Sequence, residues 1–360
     1  MRLRELSILF ATCWLNNATG QPPITVEWVA FRPYGYGTVF TQAHIDRDPI
    51  TGKYLWAVED GCPGGDEAAF LFDSTGAEVT LSFPDCFNVG SLDHLEDIEV
   101  VGDSLYYIEY HQAIAGSPQD VFWHLFGQGE LVIHSAPETD WEFGNDLVVD
   151  GNDLFVCGVS GYGSPAPDGQ LIRANLNTVP VWNILWDNGG PLPNTGFLSV
   201  APHGDTIAAA VFPQVALFDR GSGAFIDTLS LFQSIWTGER AGHIQEHDGV
   251  LHWAVRMGTT IHYGAWDLAS GPVWSGEQVF QSAVGDVDVV VDDDGHTWIG
   301  CTADGAGQIL RIDPSGTLLG VYPTYAGVSD LEWTNGKISI TGKFATGDPT
   351  SYVITGVPIP

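Results

Sequence analysis

Positive charge is what this 360-residue sequence has least of: twelve Lys and Arg stand against 45 Asp and Glu, a formal net charge of -33. Such an excess repels phosphate backbones and anionic headgroups, so nucleic-acid binding and electrostatic docking to a membrane are excluded. Beyond the N-terminus no apolar run reaches the roughly 18 residues that a bilayer span needs, so no membrane span is expected. Helical periodicity of useful length is missing as well. So are the compact catalytic motifs. There is no Gly-x-Ser-x-Gly elbow, no His-Glu-x-x-His, no Cys-x-x-Cys, and no Gly-Lys pair followed by Ser or Thr, which removes phosphate-loop and zinc-peptidase chemistry. What remains is 44% hydrophobic and only 16% charged, ample material for a buried core.

The first twenty residues read as a secretory signal: Arg2 and Arg4, an apolar run from Ile8 to Leu15, then Ala18-Thr19-Gly20 before Gln21. A rival reading makes Cys13 a lipidated cysteine, but Thr12 is not the small residue usually found before one. Removing residues 1–20 leaves ten basic and 44 acidic residues. The expected organisation is a leader at 1–20 and a single domain at 21–360, secreted to the periplasm or cell surface and monomeric. Cys62 and Cys86 lie in Gly/Pro-rich stretches where an oxidising compartment would permit a bridge. Cys157 and Cys301 sit in apolar runs and read as small buried hydrophobes.

Seven segments repeat one pattern of alternating apolar run, glycine turn and second apolar run. They begin at His44, Asp97, Asp146, Phe197, His243, Asp288 and Asp330 and turn at Gly52, Gly102, Gly151, Gly204, Gly249, Gly295 and Gly336. Between them lie further hairpins such as Phe70–Thr80, Val215–Ile226 and Ile309–Leu319, each with Asp and Gly in its turn. Four short strands seven times over predict an all-β, seven-bladed β-propeller. The last repeat has room for only three strands, so the run Ile24–Ala30 is expected to complete it and close the ring.

The segment Asp288–Gly300 followed by Gly307–Gly316 resembles a blade of the bacterial NHL-type and streptogramin-lyase-like propellers, and Val148–Val156 is similar to the same hairpin. The resemblance implies the fold and no single activity, because those groups include hydrolases, lyases, peptide-binding domains and structural domains. Asp293–Trp298 resembles a sialidase Asp-box without its leading Ser. A cleavage site leading into Gln21 resembles those of secreted proteins of the Bacteroidetes group.

In a propeller the residues opening the inner strands meet around the central channel. His44, Asp97, Asp146, His243, Asp288 and Asp330 should therefore form a polar ring, with Phe197 interrupting it. Asp97, Asp146, Asp288 and Asp330 could hold Ca²⁺ through oxygen ligands; equally, each could simply cap its own turn. His243 and His44 are the candidates for a general base. The loops on the same face carry Arg32, Tyr34, Tyr36, Trp141, Trp236 and Arg240, and Arg256 lies nearby; these rings and scarce cations suit stacking and anion contact. Two functions follow. One is non-catalytic binding of a neutral or cationic small molecule, a glycan or a protein at the channel mouth. The other is a metal-dependent hydrolase or lyase acting on a carbohydrate, a lactone or a similar small substrate.

Overall fold

The computed structural model describes residues 25–31, 43–58, 67–81, 86–87, 93–111, 120–126, 129–135, 142–160, 168–176, 180–186, 196–232, 242–324, 327–334, 336–343 and 349–355. Among them every regular element is a β-strand, and no helix is long and apolar enough to cross a membrane. The leader, Cys62, and the candidates Arg32, Tyr34, Tyr36, Trp141, Trp236 and Arg240 lie outside the described residues.

The strands form antiparallel sheets, each running from an inner to an outer strand. In chain order the inner strands are Ala43–Arg47, Asp93–Val101, Glu142–Asp150, Ser199–His203, Gly242–His247, Val287–Val291 and Asp330–Thr334. They begin the first to seventh sheets. Each inner strand packs against its two neighbours, and the seventh packs against the first, so the inner strands close a ring. The fold is the all-β propeller that the repeats predict. Closure also follows the expected route: Thr25–Phe31 pairs antiparallel with Pro349–Thr355, placing the N-terminal strand on the outside of the seventh sheet.

The turn glycines explain why the period is so regular. All seven have positive φ, from +54° at Gly204 to +84° at Gly249, a region where a side chain is strained. The third-to-fourth strand turns use a second device. Asp73, Asp219, Asp267 and Asp313 each accept main-chain N–H groups two to four residues onward; hydroxyl bonds from Thr75, Ser222 and Ser315, with the N–H bonds, hold Asp73, Asp219 and Asp313 below the ordinary range, and the N–H bonds hold Asp267 there. Part of the acidic excess is thus turn chemistry.

Apolar residues of adjacent sheets meet face to face. Leu55 and Ala57 pack with Leu95 and Tyr107, Phe155 and Leu171 with Phe197 and Phe218, and Val290 and Trp298 with Leu331 and Ile340. Cys157 and Cys301 are buried free thiols within this core. Burial raises both, Cys301 to about 12, so they are inert as nucleophiles.

Candidate functional site

An inner strand of a propeller presents alternate side chains to the axis, and its first such residue stands where neighbouring strands come closest. That geometry turns the polar ring into a chain of contacts passed from sheet to sheet. Asp97 accepts the N–H of Leu147 in the third sheet at 2.8 Å. Asp146 accepts the N–H of Val200 in the fourth at 2.7 Å, and Asp288 that of Leu331 in the seventh at 2.7 Å. Asp330 accepts the N–H of Ile45 in the first sheet at 2.8 Å. Where the opening residue is histidine the direction reverses. His44 Nε2 lies 3.3 Å from the carbonyl oxygen of Leu95, and His243 Nδ1 lies 3.3 Å from that of Val289.

Phe197 does not hold the fourth position. It is fully buried, stacked on Trp186 at 5.4 Å, and the ring residue is Ser199. Its hydroxyl donates to Asp146 Oδ2 at 2.6 Å and accepts the N–H of Ile244 in the fifth sheet at 3.1 Å. The expectation failed because Ser199 begins its strand two residues after the apolar Phe197, and an aromatic at the start of the run masked the register. With Ser199 in place, all seven inner strands are linked to the next one through the ring.

A second tier lies two residues along the same strands. Asp46 accepts the N–H of Val100 at 2.5 Å, Glu99 that of Val149 at 3.1 Å and Gln245 that of Val291 at 2.5 Å. Sequence reasoning missed this tier, although the signal was present as polar–apolar–polar starts: His44-Ile-Asp46, Asp97-Ile-Glu99 and His243-Ile-Gln245.

The second tier and, of the first, Asp97, Asp146, His243, Asp288 and Asp330 line a cavity of about 290 Å³ on the axis. Among the described residues, nine Asp or Glu and no Lys or Arg face it. Electrostatics follow from that imbalance. Burial, reinforced by neighbouring negative charge, raises Asp97, Glu99 and Asp330 well above the usual carboxylate range. Burial brings Asp46 to about 6 even though two N–H groups oppose it. His243 is the exception that the cavity imposes. Burial works against its charge, yet Asp288 Oδ1 at 2.6 Å and Asp146 Oδ2 at 3.6 Å outweigh that cost and hold the imidazole well above its ordinary value. Asp146 is correspondingly depressed: burial opposes this, and the bonds from His243, Ser199 and Val200 overcome it.

A hard cation would need several carboxylate oxygens around one point. Asp97, Asp146, Asp288 and Asp330 each give an oxygen to a main-chain N–H group, while Asp97 lies beside Asp146 and Asp330 beside Asp288. Among the described residues no three His, Cys, Asp or Glu are grouped to hold a metal ion. Arg256 is engaged too, donating to the carbonyls of Val284 and Gly285 at 3.2 Å, so it braces the segment entering the sixth sheet. The Asp-box-like turn is likewise structural: Asp292 accepts from Trp298 Nε1 at 2.9 Å and from the N–H of His296 at 2.8 Å.

Comparison with solved structures places this arrangement among known folds. The crystal structure of BamB from Moraxella catarrhalis is similar to this chain with a TM-score of 0.51 and 13% identity, over 87% of this chain and 84% of that one. At that identity the likeness concerns the fold alone. No protein-family model matches the chain, and no curated protein does.

Proposed function

We propose that this chain is a secreted, non-catalytic binding propeller, with a leader at 1–20 and the propeller at 21–360, that takes a neutral or cationic partner at the face where its channel opens. The observation that carries this reading is the state of the ring. Its carboxylates and its serine hydroxyl are committed to bonds between sheets, and His243 is held in its protonated form by two aspartates, which leaves it poorly suited to accept a proton. A ring so engaged serves as the hub of a scaffold. Recognition then falls to the segments whose sequence carries Arg32, Tyr34, Tyr36, Trp141, Trp236 and Arg240. The acidic cavity beneath favours a partner without negative charge. Kinship with NHL-type and streptogramin-lyase-like propellers is part of this proposal, on the strength of the Asp288–Gly316 segment.

Retention on glycan and peptide arrays tests it. Wild-type protein is expected to select a set of neutral or basic ligands, and Trp141→Ala, Trp236→Ala and Arg240→Ala to lose that selection with folding intact. Unchanged retention in all three variants overturns the reading.

A further inference from the structure

Among the described residues the outermost strand of each sheet presents a row of main-chain N–H and C=O groups without a strand partner, a template for further pairing that natural sheets guard with charge, proline, bulges or shortness. Most outer strands here are guarded. Thr25–Phe31 carries Glu27, Gly129–Ser135 carries Glu130, Phe225–Ser230 carries Asp227, and Gly271–Val279 carries Pro272 and Glu277. The outer strand of the first sheet is two residues long, Glu78–Val79. Two described outer strands have no charge. Of these, Leu318–Pro323 is interrupted by Gly320 and ends on proline, whereas the third sheet ends on Pro180–Trp186, whose proline stands at the first position only.

The six residues Val181-Trp-Asn-Ile-Leu-Trp186 are thus an edge without charge, paired on one side with Gly169–Ala174 with a register shift at Val181 and outermost in their sheet among the described residues. One face is apolar, and the other carries exposed Asn183 between two apolar residues. Val181 and Leu185 are 47% and 57% exposed on the face with Asn183. On the other, Trp182, Ile184 and Trp186 lean on the fourth sheet, where Trp186 stacks on Phe225 at 6.2 Å and Phe225 is itself half-exposed. A strand added here would place alternate side chains against Val181 and Leu185 and the others beside Trp186 and Phe225.

Two features specify the occupant. What is open is a hydrogen-bonding ladder, so the ligand is an extended chain. The protein carries a net charge of -33 and this edge has no cation to offset it, which disfavours a second copy within the screening distance of about 8 Å in physiological salt. We infer that the outer strand Pro180–Trp186 is a strand-addition site for an extended apolar segment with basic flanks, contributed by another polypeptide. The site lies on the rim, away from the channel, and is independent of the function proposed above.

A fluorescein-labelled peptide, Lys-Lys-Val-Thr-Val-Tyr-Val-Thr-Lys-Lys, tests it by anisotropy against the full chain. Saturable binding is expected. Val181→Lys and Leu185→Lys should each weaken it at least tenfold with unchanged thermal unfolding, and a peptide N-methylated at alternate amides should not bind. Val279→Lys, on the outer strand of the fifth sheet, should have no effect. Equal binding of the methylated peptide, wild-type binding by both lysine variants, or no saturable binding overturns the proposal. So does a concentration-dependent dimer in sedimentation velocity that Leu185→Lys dissolves, because the occupant would then be a second copy.

Discussion

Asp330 accepts the main-chain N–H of Ile45 at 2.8 Å across a separation of 285 residues, tying the last sheet to the first from within the channel. Removing the acceptor strands a buried donor, which costs about 1–3 kcal/mol. Asp330→Ala should therefore lower stability by that amount. Asp330→Asn keeps an acceptor oxygen while discarding a charge that the channel disfavours, so it should equal or exceed wild type at neutral pH. Urea unfolding of both variants at pH 7 measures the difference; equal loss in the two would show that the charge, and not the acceptor, matters.

Ser199 makes a sharper test because its hydroxyl serves two strands. Ser199→Ala leaves the N–H of Ile244 without its partner and deprives Asp146 of a donor, at an expected cost of about 1–3 kcal/mol. Ser199→Thr should restore most of it. In the alanine variant the Asp146 carboxyl should also titrate at higher pH, which NMR of a side-chain ¹³C-labelled sample would detect.

Much of this arrangement is legible in the sequence, and the limits have physical causes. The seven turn glycines can be read because positive φ is a backbone demand that few residues meet, and the closing strand can be read by counting strands at both ends. Ser199 escapes notice because serine is common in turns and loops, and only its register against Asp146 and Ile244 marks it as a ring member. The second tier at Asp46, Glu99 and Gln245 needs knowledge of which N–H each side chain meets, and that depends on neighbours some fifty residues away. Scarcity of cations marks Arg256 in the sequence, but not its carbonyl partners at Val284 and Gly285, which come from a segment 28 residues downstream.

Acid and alkali should act on this fold through opposing groups. Asp46, raised to about 6, contributes stability that is complete below the unfolded carboxylate value and lost as pH rises through 6. His252, buried against Thr297 Oγ1 at 2.7 Å and lowered to about 4 by burial, contributes the reverse: its stability is present above about 6.5 and lost as pH falls through 4. Asp46→Asn should thus raise the melting temperature more at pH 8 than at pH 4. His252→Gln should flatten the loss between pH 6.5 and 4. Melting curves across pH 4–8 for the three proteins decide both.

His243 adds a third term at higher pH. With its value raised by Asp288 and Asp146, the stability it lends is full below about 6.5 and disappears as pH climbs through the raised value. His243→Gln should remove this alkaline loss and lower stability near neutrality, since two carboxylates then face each other without a cation. The same experiment bears on calcium. If the carboxylates serve the scaffold, melting of wild-type protein should be alike in EDTA and in millimolar Ca²⁺, with no stoichiometric metal by elemental analysis; a marked rise with Ca²⁺ would favour the hydrolase or lyase alternative.

The pairing of Thr25–Phe31 with Pro349–Thr355 also orders events in time. The ring has no complete seventh sheet until the final strand is available, so the earliest strand must wait for nearly the whole chain before it finds its place. Contacts of such long sequence separation form slowly, and a chain shortened by its last dozen residues would keep six finished sheets yet lose the clasp. Such a species should persist as an open arc, sensitive to proteases at its ends, and the rate of clasp formation should set the pace at which newly made protein becomes resistant.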